Sequence, residues 1–314
     1  MKTFVFIIVL VLCCSVVVEA QDFFTVMSYN VENLFDTIPD AGKDDKEFLP
    51  EGEYKWTRPR LFKKLKDISK VIVGTDTVKP CEVVGLCEVE NDSVMTYLLE
   101  RTQLRKLGYK YIITNSEDQR GIDVALLYSP RRFRLIHHES IRTKTKKPTR
   151  DVLYASGVMP RGDTLDIYML HLPSQLGLDE AERNRQMIRD RVLSHADSVT
   201  ARRQKPTIII MGDFNDELRG KQMNPYHEHG FTDMTERKQP GTYKYKGEWG
   251  NIDHIMLRTT RTERIESGIT IMPMLLERDK SRGGKKPRRT FLGTHYHGGV
   301  SDHLPVWVKL IIDN

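Results

Sequence analysis

Polar side chains that could take part in catalysis recur at six points along the 314-residue chain, each beside a short apolar run. The six clusters are Met27-Ser28-Tyr29-Asn30, Gly85-Leu86-Cys87-Glu88, Met169-Leu170-His171, Met211-Gly212-Asp213-Phe214-Asn215, Asn251-Ile252-Asp253-His254 and Ser301-Asp302-His303. Carboxylates, amides and imidazoles of this kind bind hard metal ions and transfer protons. One such cluster is typical of an ordinary turn. Six of them, spread over residues 30–303, predict a single site assembled from the whole length and argue against two independent domains.

These residue types suit the hydrolysis of a phosphate ester, which needs a metal ion, a base for the attacking water and stabilisation of the leaving oxygen. Asp213 and Asn215 are two residues apart, and on an extended segment their side chains point the same way. We therefore expect Asp213 to take the proton from water while the Asn215 amide orients that water or a phosphate oxygen. His303 is the candidate for contacting the scissile phosphate. Asp253 is its expected partner, because a paired carboxylate favours the imidazolium form.

The elements that must position these clusters alternate between strands and helices. Apolar runs rich in Val, Ile and Tyr predict strands at 24–29, 83–87, 111–114, 124–128, 165–172, 207–211, 252–257 and 306–312. Helical spacing predicts helices at 61–72 (with Pro59 near the start), at 94–107 (closed by Gly108) and at 179–200. Hydrophobic residues make up 39% of the chain and charged residues 29%, which excludes a disordered protein. The pattern predicts an α/β fold.

In order and approximate spacing, the clusters resemble the motifs of the endonuclease/exonuclease/phosphatase superfamily. The motifs are Ser-Tyr-Asn30-Val-Glu-Asn, Cys-Glu88-Val-Glu-Asn, Gly-Asp213-Phe-Asn215-Asp, Asn-Ile-Asp253-His-Ile and Ser-Asp302-His303-Leu-Pro. The likeness covers about residues 24–312 and is greatest to secreted bacterial members with the Asn-Leu-Phe-Asp opening. It implies a four-layer αββα sandwich, in which two mixed β-sheets pack face to face with helices outside and the site lies at one edge.

The resemblance also implies roles for individual residues. The metal ligands that it implies are Glu88, Asn30 and Asp302. The expected ion is Mg²⁺, with Mn²⁺ as an alternative, because Mg²⁺ takes few carboxylates and keeps several waters. His171 matches a position that assists the leaving group in the nuclease branch. Arg120 is expected to bind substrate, and Asp123, on the same motif before a strand, is expected to brace the site from behind.

The first twenty residues are typical of a secretion signal. Lys2 precedes an apolar stretch, and small residues lead to a cut site after Ala20. The stretch Phe4–Val18 has 15 residues, fewer than the ~20 of a membrane-spanning helix. We expect residues 1–20 to be a cleaved signal peptide, and residues 21–314 to form the endonuclease/exonuclease/phosphatase domain of a secreted or periplasmic protein without stable membrane insertion. An uncleaved or lipidated anchor is the alternative.

Cleavage would leave two cysteines, Cys81 and Cys87, on either side of the apolar run Val83-Val84-Gly85-Leu86. On a strand their Cα atoms would lie too far apart for a disulfide. The sequence therefore favours two buried free thiols.

Residues 278–289 are strongly basic, with seven Lys or Arg and one acid, and their charge equals the net charge of +6 of the whole chain. Seven bases on a Gly- and Pro-containing loop cannot pack into a core, and we expect no nearby acid beyond Asp279. At the rim of the site, Lys285 and Arg288 would bind a polyanion such as nucleic acid. The plainer interpretation is a solvated loop without a role. His295 and His297 resemble a metal pair, but no carboxylate pattern surrounds them, so a substrate loop is favoured.

Three functional hypotheses remain. The first is a metal-dependent nuclease or phosphodiesterase acting on nucleic acid. The second is a phosphomonoesterase or lipid phosphoesterase of the same fold, and the third is an inactive binding module, which the intact set of acids argues against. The inositol phosphatase branch carries a Trp-Cys-Asp-Arg pattern where this chain has Trp249-Gly-Asn-Ile-Asp253-His254, and no aromatic hairpin suited to a bilayer is evident. We therefore predict an Mg²⁺-dependent phosphoric ester hydrolase, a secreted nuclease that is monomeric.

Overall fold

A computed structural model describes residues 22–175, 178–236, 238–260 and 265–312. The predicted signal peptide, residues 1–20, lies outside the described residues. Within the described ranges, no helix combines the length and the hydropathy that crossing a bilayer requires.

Strands and helices alternate along the described chain. In chain order the strands are β1 (Asp22–Leu34), β2 (Val83–Val89), β3 (Lys110–Ile113), β4 (Asp123–Tyr128), β5 (Arg134–Ile141), β6 (Val152–Val158), β7 (Thr164–His171), β8 (Thr207–Asp213), β9 (Thr232–Asp233), β10 (Tyr243–Tyr245), β11 (Glu248–Gly250), β12 (Asp253–Thr259), β13 (Ile265–Ile269), β14 (Leu276–Arg278), β15 (Lys285–Pro287), β16 (Phe291–Leu292), β17 (His295–Tyr296) and β18 (Val306–Ile312). The α-helices are α1 (Arg58–Gly74), α2 (Asp92–Glu100), α3 (Leu178–Thr200) and α4 (Asn224–Glu228). Short 3₁₀ helices lie at Lys46–Phe48, Gln103–Lys106, Pro160–Gly162, Gly220–Gln222 and Pro273–Leu275.

Two mixed sheets of six strands each form the centre of the described structure. The first has the order β13-β18-β1-β2-β4-β3, with β1 and β2 parallel and the other neighbours antiparallel. The second has the order β5-β6-β7-β8-β12-β9, with β7 and β8 parallel and the other neighbours antiparallel. Strands β1, β2 and β8 are almost wholly buried. Their burial on both faces explains why they are continuous apolar runs rather than alternating ones.

The two sheets pack face to face. Val26 and Val83 from the first sheet and Met169 and Ile255 from the second belong to one buried core between them. At Gly85 the sheets approach so closely that an added Cβ would lie 2.4 Å from Met169 Sδ. Such a contact is too short for carbon and sulfur, so a side chain here would require the Met169 and Met211 side chains to move.

Helices cover the outer faces of both sheets. Leu61 and Leu65 of α1, together with residues of α2, pack against the first sheet. Ile188 and Val192 of α3 pack against the second. The layers therefore run helix, sheet, sheet, helix, which confirms the predicted αββα sandwich.

The structure differs from the sequence-based expectation in several elements. The helix expected at 94–107 ends at Glu100, because the Thr102 hydroxyl donates to the Leu98 carbonyl and accepts from the Leu104 amide, and so begins a separate 3₁₀ turn. Ten strands were not predicted: β5, β6, β9 and β13 of the two large sheets, and the short strands β10, β11, β14, β15, β16 and β17. Cys81 and Cys87 are both buried and free, as expected.

Candidate active site

The ends of three neighbouring strands bring three of the predicted site residues side by side. In the parallel pairing of β7 with β8, His171 lies opposite Asp213. In the antiparallel pairing of β8 with β12, Asp253 lies opposite Asp213. From the first sheet, the Ser301 hydroxyl donates to the backbone carbonyl of Asn30 at 2.7 Å. This bond brings the segment before β18 to the same edge, so both sheets build one site.

Asn30 joins the carboxylates of the two sheets. Its Nδ2 atom donates to Asp213 Oδ2 at 3.0 Å and to Glu88 Oε1 at 3.3 Å. The second oxygen of Glu88 accepts a hydrogen bond from the Asn33 amide at 2.8 Å. Glu88 has a left-handed backbone conformation, with φ of 64°, at the irregular end of β2. This uncommon conformation directs the Glu88 carboxylate toward the second sheet rather than along its own strand.

Asp213, His303 and Asp253 form a buried charged cluster. His303 Nδ1 lies 2.8 Å from Asp253 Oδ2, and His303 Nε2 lies 3.8 Å from Asp213 Oδ2. Burial alone would lower the pKa of His303, but the carboxylates of Asp253, Asp213 and Asp302 outweigh it and hold that pKa well above its usual value. Burial raises the pKa of Asp213 to about 7, against the opposing charge of His303. The cluster therefore pairs an imidazolium with a carboxyl group that can exchange a proton near neutral pH.

His171 lies on the other side of Asp213 in a different electrostatic environment. Its Nε2 atom is 3.5 Å from Asp213 Oδ2 and 4.0 Å from Glu88 Oε1. Burial lowers the pKa of His171 well below its usual value, and the charges of Arg150 and Arg120 add to this effect. His171 is therefore a neutral imidazole.

Asp302, predicted as a metal ligand, is held by an arginine. Its Oδ2 atom forms an ion pair with Arg289, and its Oδ1 atom is 3.9 Å from His303 Nε2. Burial tends to raise the pKa of Asp302, but the charges of His303 and Arg289 keep it below its usual value. The guanidinium occupies Oδ2, so Oδ1 is the atom through which Asp302 could meet a metal ion, and the ligand role stays a prediction.

A divalent ion fits beside Glu88 better than within the buried histidine cluster. Ligand atoms of Asp213, Asp253 and His303 lie within 4.8 Å of one another, which is close enough for a shared ion. However, His303 Nδ1 is bonded to Asp253, and a protonated imidazole has no free lone pair for a metal. The Glu88 side chain is 14% exposed, which leaves room for the water molecules that Mg²⁺ keeps. Glu88 with Asn30 beside it would hold the ion.

Comparisons with known proteins agree with this fold. A family model described as Endonuclease/Exonuclease/phosphatase family matches residues 25–311. The chain belongs to this family. Membership confirms the resemblance of the motifs to the family, and it makes phosphate-ester hydrolysis the reaction class. The comparison with curated protein sequences gives no match.

Solved structures of family members share the fold. A family protein from Bacteroides thetaiotaomicron is 17% identical, with a TM-score of 0.63 over 93% of this chain and 99% of that chain. The mannosyl-6-phosphatase Bt3783 from the same species is 17% identical, with a TM-score of 0.61 over 92% and 100%. TDP2 of D. rerio, complexed with a single-strand DNA product, is 16% identical, with a TM-score of 0.58 over 92% and 99%. At these identities the likeness shows the fold alone.

The predicted geometry of Asn215 is wrong. Asn215 is not on an extended segment with Asp213, because it has a left-handed φ of 51° immediately after β8 ends. Its backbone amide donates to Asp213 Oδ1 at 2.8 Å, and its side-chain Nδ2 donates to the Leu172 carbonyl at 2.9 Å. The backbone amide of Asn215 thus fixes the Asp213 carboxylate and its side chain fixes the turn, while its role in orienting water or a phosphate oxygen stays a prediction.

Two other predicted residues are Arg120, which lies near Glu88, and Asp123, which lies behind it. Arg120 Nη2 donates to Asn33 Oδ1 at 2.7 Å, next to the amide that holds Glu88, and it is exposed as a substrate contact must be. Asp123 is buried and accepts from the Thr114 hydroxyl at 2.5 Å and from the Ser116 amide at 3.2 Å. Asp123 therefore braces the loop after β3 and does not contact the catalytic carboxylates.

The basic segment contains more ion pairs than expected. Lys285 and Arg288 are exposed, but Lys286 lies 3.4 Å from Glu277. The expectation of no acid beyond Asp279 is therefore wrong, since Glu277 precedes the segment on the paired strand β14. Glu277 also binds His297 Nε2, so His297 has a carboxylate partner, and the structure does not gather the two histidines into a metal pair within the described chain.

Sequence reasoning missed a layer of charges beneath the site. Glu32 is buried and accepts from the Thr290 amide at 2.6 Å, and burial raises its pKa to about 7. The buried Lys64 of α1 donates to the Thr290 hydroxyl and to the Val300 carbonyl. These contacts fix the chain on either side of β16 and β17, just before Ser301. The helical spacing of Lys64 with Leu61, on the apolar face of α1, was the available signal.

Proposed function

We propose that this family member is a secreted, divalent-metal-dependent phosphodiesterase that cleaves nucleic acid. Phosphate-ester hydrolysis follows from the family. The observation that supports a polyanionic substrate is a set of exposed bases fixed beside the catalytic histidine.

Five exposed basic side chains form what we call the basic ridge. They belong to the hairpin β14–β15 and its ends, and they are Arg278, Lys280, Arg282, Lys285 and Arg288. Several closely spaced bases suit a polymer of phosphates, because each contact releases counterions that a small ester would not displace.

The ridge is tied to the site through a second hairpin, β10–β11. Lys244 of that hairpin lies 3.0 Å from Asp279 Oδ2 and donates to the Gly283 carbonyl at 2.9 Å. Tyr243, the adjacent residue, pairs with His303 through the backbone and packs its ring at 4.9 Å from the imidazole. The ridge and His303 are therefore held by neighbouring residues of one hairpin.

The same hairpin presents an aromatic surface. The Tyr245 side chain is 62% exposed, and Lys246 Nζ lies 5.2 Å from its ring centroid. Exposed aromatic rings among bases are typical of single-stranded nucleic-acid binding, because every base can stack on such a ring. Tyr245 would thus offer a stacking surface next to the ridge.

The side chains at the centre suggest how the ester is cleaved. In this proposal Asp213 accepts the proton of the attacking water, since its pKa of about 7 allows exchange near neutrality. The His303 imidazolium stabilises the negative charge that develops on the phosphate. The neutral His171 donates a hydrogen bond to the leaving oxygen. A divalent ion beside Glu88 and Asn30 would neutralise the nonbridging oxygens and lower the pKa of bound water.

The test replaces Arg282, Lys285 and Arg288 together by Ser, because these three ridge residues form no ion pair with an acid among the described residues. KM for single-stranded DNA and for a small aryl phosphodiester is then measured from low to high salt. We expect KM to rise for DNA only, and the slope of log KM against log salt to fall by about 2, from about 0.7 per lost phosphate contact on a single strand.

The matched control replaces Arg105, Lys106 and Lys110, which are also exposed and lie at the far end of the first sheet. It should leave both KM values unchanged. Equal effects of the ridge variant on DNA and on the small ester, or no effect, would contradict a nucleic-acid substrate. A higher kcat/KM for phosphomonoesters, phosphoinositides or sphingomyelin than for DNA would favour the phosphatase or lipid alternative.

A further inference from the structure

Arg289 forms an ion pair with Asp302 of the Ser301-Asp302-His303 motif, and among the described residues no other base of the basic segment does so. Its backbone is fixed there: the Gly299 amide donates to the Arg289 carbonyl at 3.1 Å, and the Val300 amide donates to the Arg288 carbonyl at 2.9 Å. An added Cβ at Gly299 would lie 1.9 Å from the Arg288 carbonyl oxygen. Glycine at position 299 therefore lets the two backbone segments lie close together, and this contact holds Arg289 beside the motif.

The guanidinium lies next to the reacting groups. It binds one oxygen of Asp302, whose other oxygen is 3.9 Å from His303 Nε2. That same His303 atom faces Asp213. Tyr243, which packs on His303, also interacts with Arg289. Only the Asp302 carboxylate therefore separates Arg289 from the atom of His303 that would meet a phosphate.

The guanidinium also has hydrogen-bonding capacity to spare. Its Nε atom is buried and has no partner among the described residues, although the side chain as a whole is 37% exposed. A guanidinium presents five N–H donors in a planar fork that matches two oxygens of a phosphate. Stability does not explain the pair with Asp302, because partly exposed ion pairs add little to folding.

We propose that Arg289 binds a nonbridging oxygen of the scissile phosphate and that Asp302 is its positioning carboxylate rather than a metal ligand. The proposal rests on the phosphoesterase function proposed above, but it does not depend on whether the ester belongs to nucleic acid. In this proposal the guanidinium of Arg289 is a second positive group in the site besides the metal ion. It lies on the side of His303, while Glu88 lies on the opposite side of Asp213.

The test measures binding of inorganic phosphate in excess EDTA, where neither turnover nor metal contributes. Arg289→Ala should weaken phosphate binding by about 10- to 100-fold, as expected for losing a hydrogen bond between charged groups. Arg289→Lys keeps the charge without the fork, so it should fall between wild type and Arg289→Ala. Both variants should also lose kcat/KM on a small aryl phosphodiester.

Asp302→Asn separates the two roles of the carboxylate. If Asp302 positions Arg289, the variant should alter phosphate binding in EDTA and leave the affinity for Mn²⁺, measured by electron paramagnetic resonance, unchanged. Weaker Mn²⁺ binding with unchanged phosphate binding would instead make Asp302 a metal ligand and overturn the proposal.

A matched control is Arg132→Ala. Arg132 forms a 2.7 Å pair with Asp22 and has similar exposure, 29%, at the opposite end of β1. It should bind phosphate as wild type does. Wild-type phosphate affinity in both Arg289 variants, or no phosphate binding by the wild-type protein, would contradict the proposal. Phosphate binding through Arg289 without DNA cleavage would contradict only the proposed substrate.

Discussion

Replacing Asp253 by Asn tests the central charge arrangement of the site. Asp253 Oδ2 accepts the His303 Nδ1–H bond at 2.8 Å, and both side chains are buried. Asparagine keeps the shape and an acceptor oxygen but removes the charge. Without that charge, we expect the pKa of His303 to fall, because burial lowers it and only Asp213 and Asp302 still oppose burial.

The expected loss depends on pH. An ordinary histidine, with a pKa of about 6.5, is protonated in about 3% of molecules at pH 8, so complete loss of the raised pKa would lower kcat about 30-fold through protonation alone. Poorer orientation of the ring adds to this, toward the about 10²- to 10³-fold cost of losing an oxyanion-stabilising group. At pH 6 most of the imidazole is protonated again, and the loss should shrink by about tenfold or more. The ratio of wild-type to variant kcat should therefore rise from pH 6 to pH 8.

The assay is kcat against pH on a small aryl phosphodiester with saturating Mg²⁺. Wild-type kcat should rise through pH 7, because the Asp213 carboxyl, whose pKa is raised to about 7, acts in its deprotonated form.

The chain provides a matched control in a second buried pair. His254 Nδ1 lies 2.8 Å from Asp233 Oδ2, and neither residue contacts Asp213 or His303 in the described structure. Asp233→Asn should lower stability but leave the pH profile of kcat unchanged. The reasoning would be refuted if Asp253→Asn reduced kcat equally at every pH, or if Asp233→Asn produced the same pH-dependent loss.

Three further predictions concern the metal ion, stability and the N-terminus. Glu88→Gln should abolish activity and weaken Mg²⁺ and Mn²⁺ binding without unfolding the chain, because the amide keeps the shape but not the charge; full activity in EDTA would count against a metal. Burial raises the pKa of Glu90 to about 9, so the folded state binds its proton more tightly than the unfolded state. The contribution of Glu90 to stability should be fully present below pH 4.5 and be lost as the pH rises to 9, and Glu90→Gln should remove this part of the pH dependence in denaturant melts. N-terminal sequencing of the exported protein should begin at Gln21, and retention of Met1–Ala20 in membranes would disprove the signal peptide.

The fold and much of the site could be predicted because both depend on the same local signal. Continuous apolar runs mark strands buried on both faces, and the first polar residue after such a run marks a strand end. Asp213 and His171 could be placed together in this way, and their pairing across β7 and β8 brings them side by side. The edge strand β5 has no such signal, since its residues are mostly exposed and polar and form a strand because they pair with β6.

Contacts made by long-range pairing could not be predicted from local patterns. The Asp302 motif gives no indication that its carboxylate meets Arg289, because this pair depends on how the chain folds back through β16 and β17. The direction of the Asn215 side chain was predicted wrongly, because its spacing from Asp213 was interpreted on an extended segment. The chain turns after β8, where Asn215 has a left-handed φ, so the two side chains do not point the same way.

The two histidines show that residue type alone does not decide the chemistry of this site. Both lie within 4 Å of the same atom, Asp213 Oδ2. His303 faces carboxylates and is charged, whereas His171 is buried with arginines nearby and is neutral. Groups of one type whose pKa values are pushed apart can act as acid and as neutral donor at the same pH. Because Asp213 lies between them, a proton that it accepts from water faces an imidazolium on one side and a neutral ring on the other. Neither ring is set to take that proton from Asp213, because His303 already carries one and the lowered pKa of His171 makes it the weaker base.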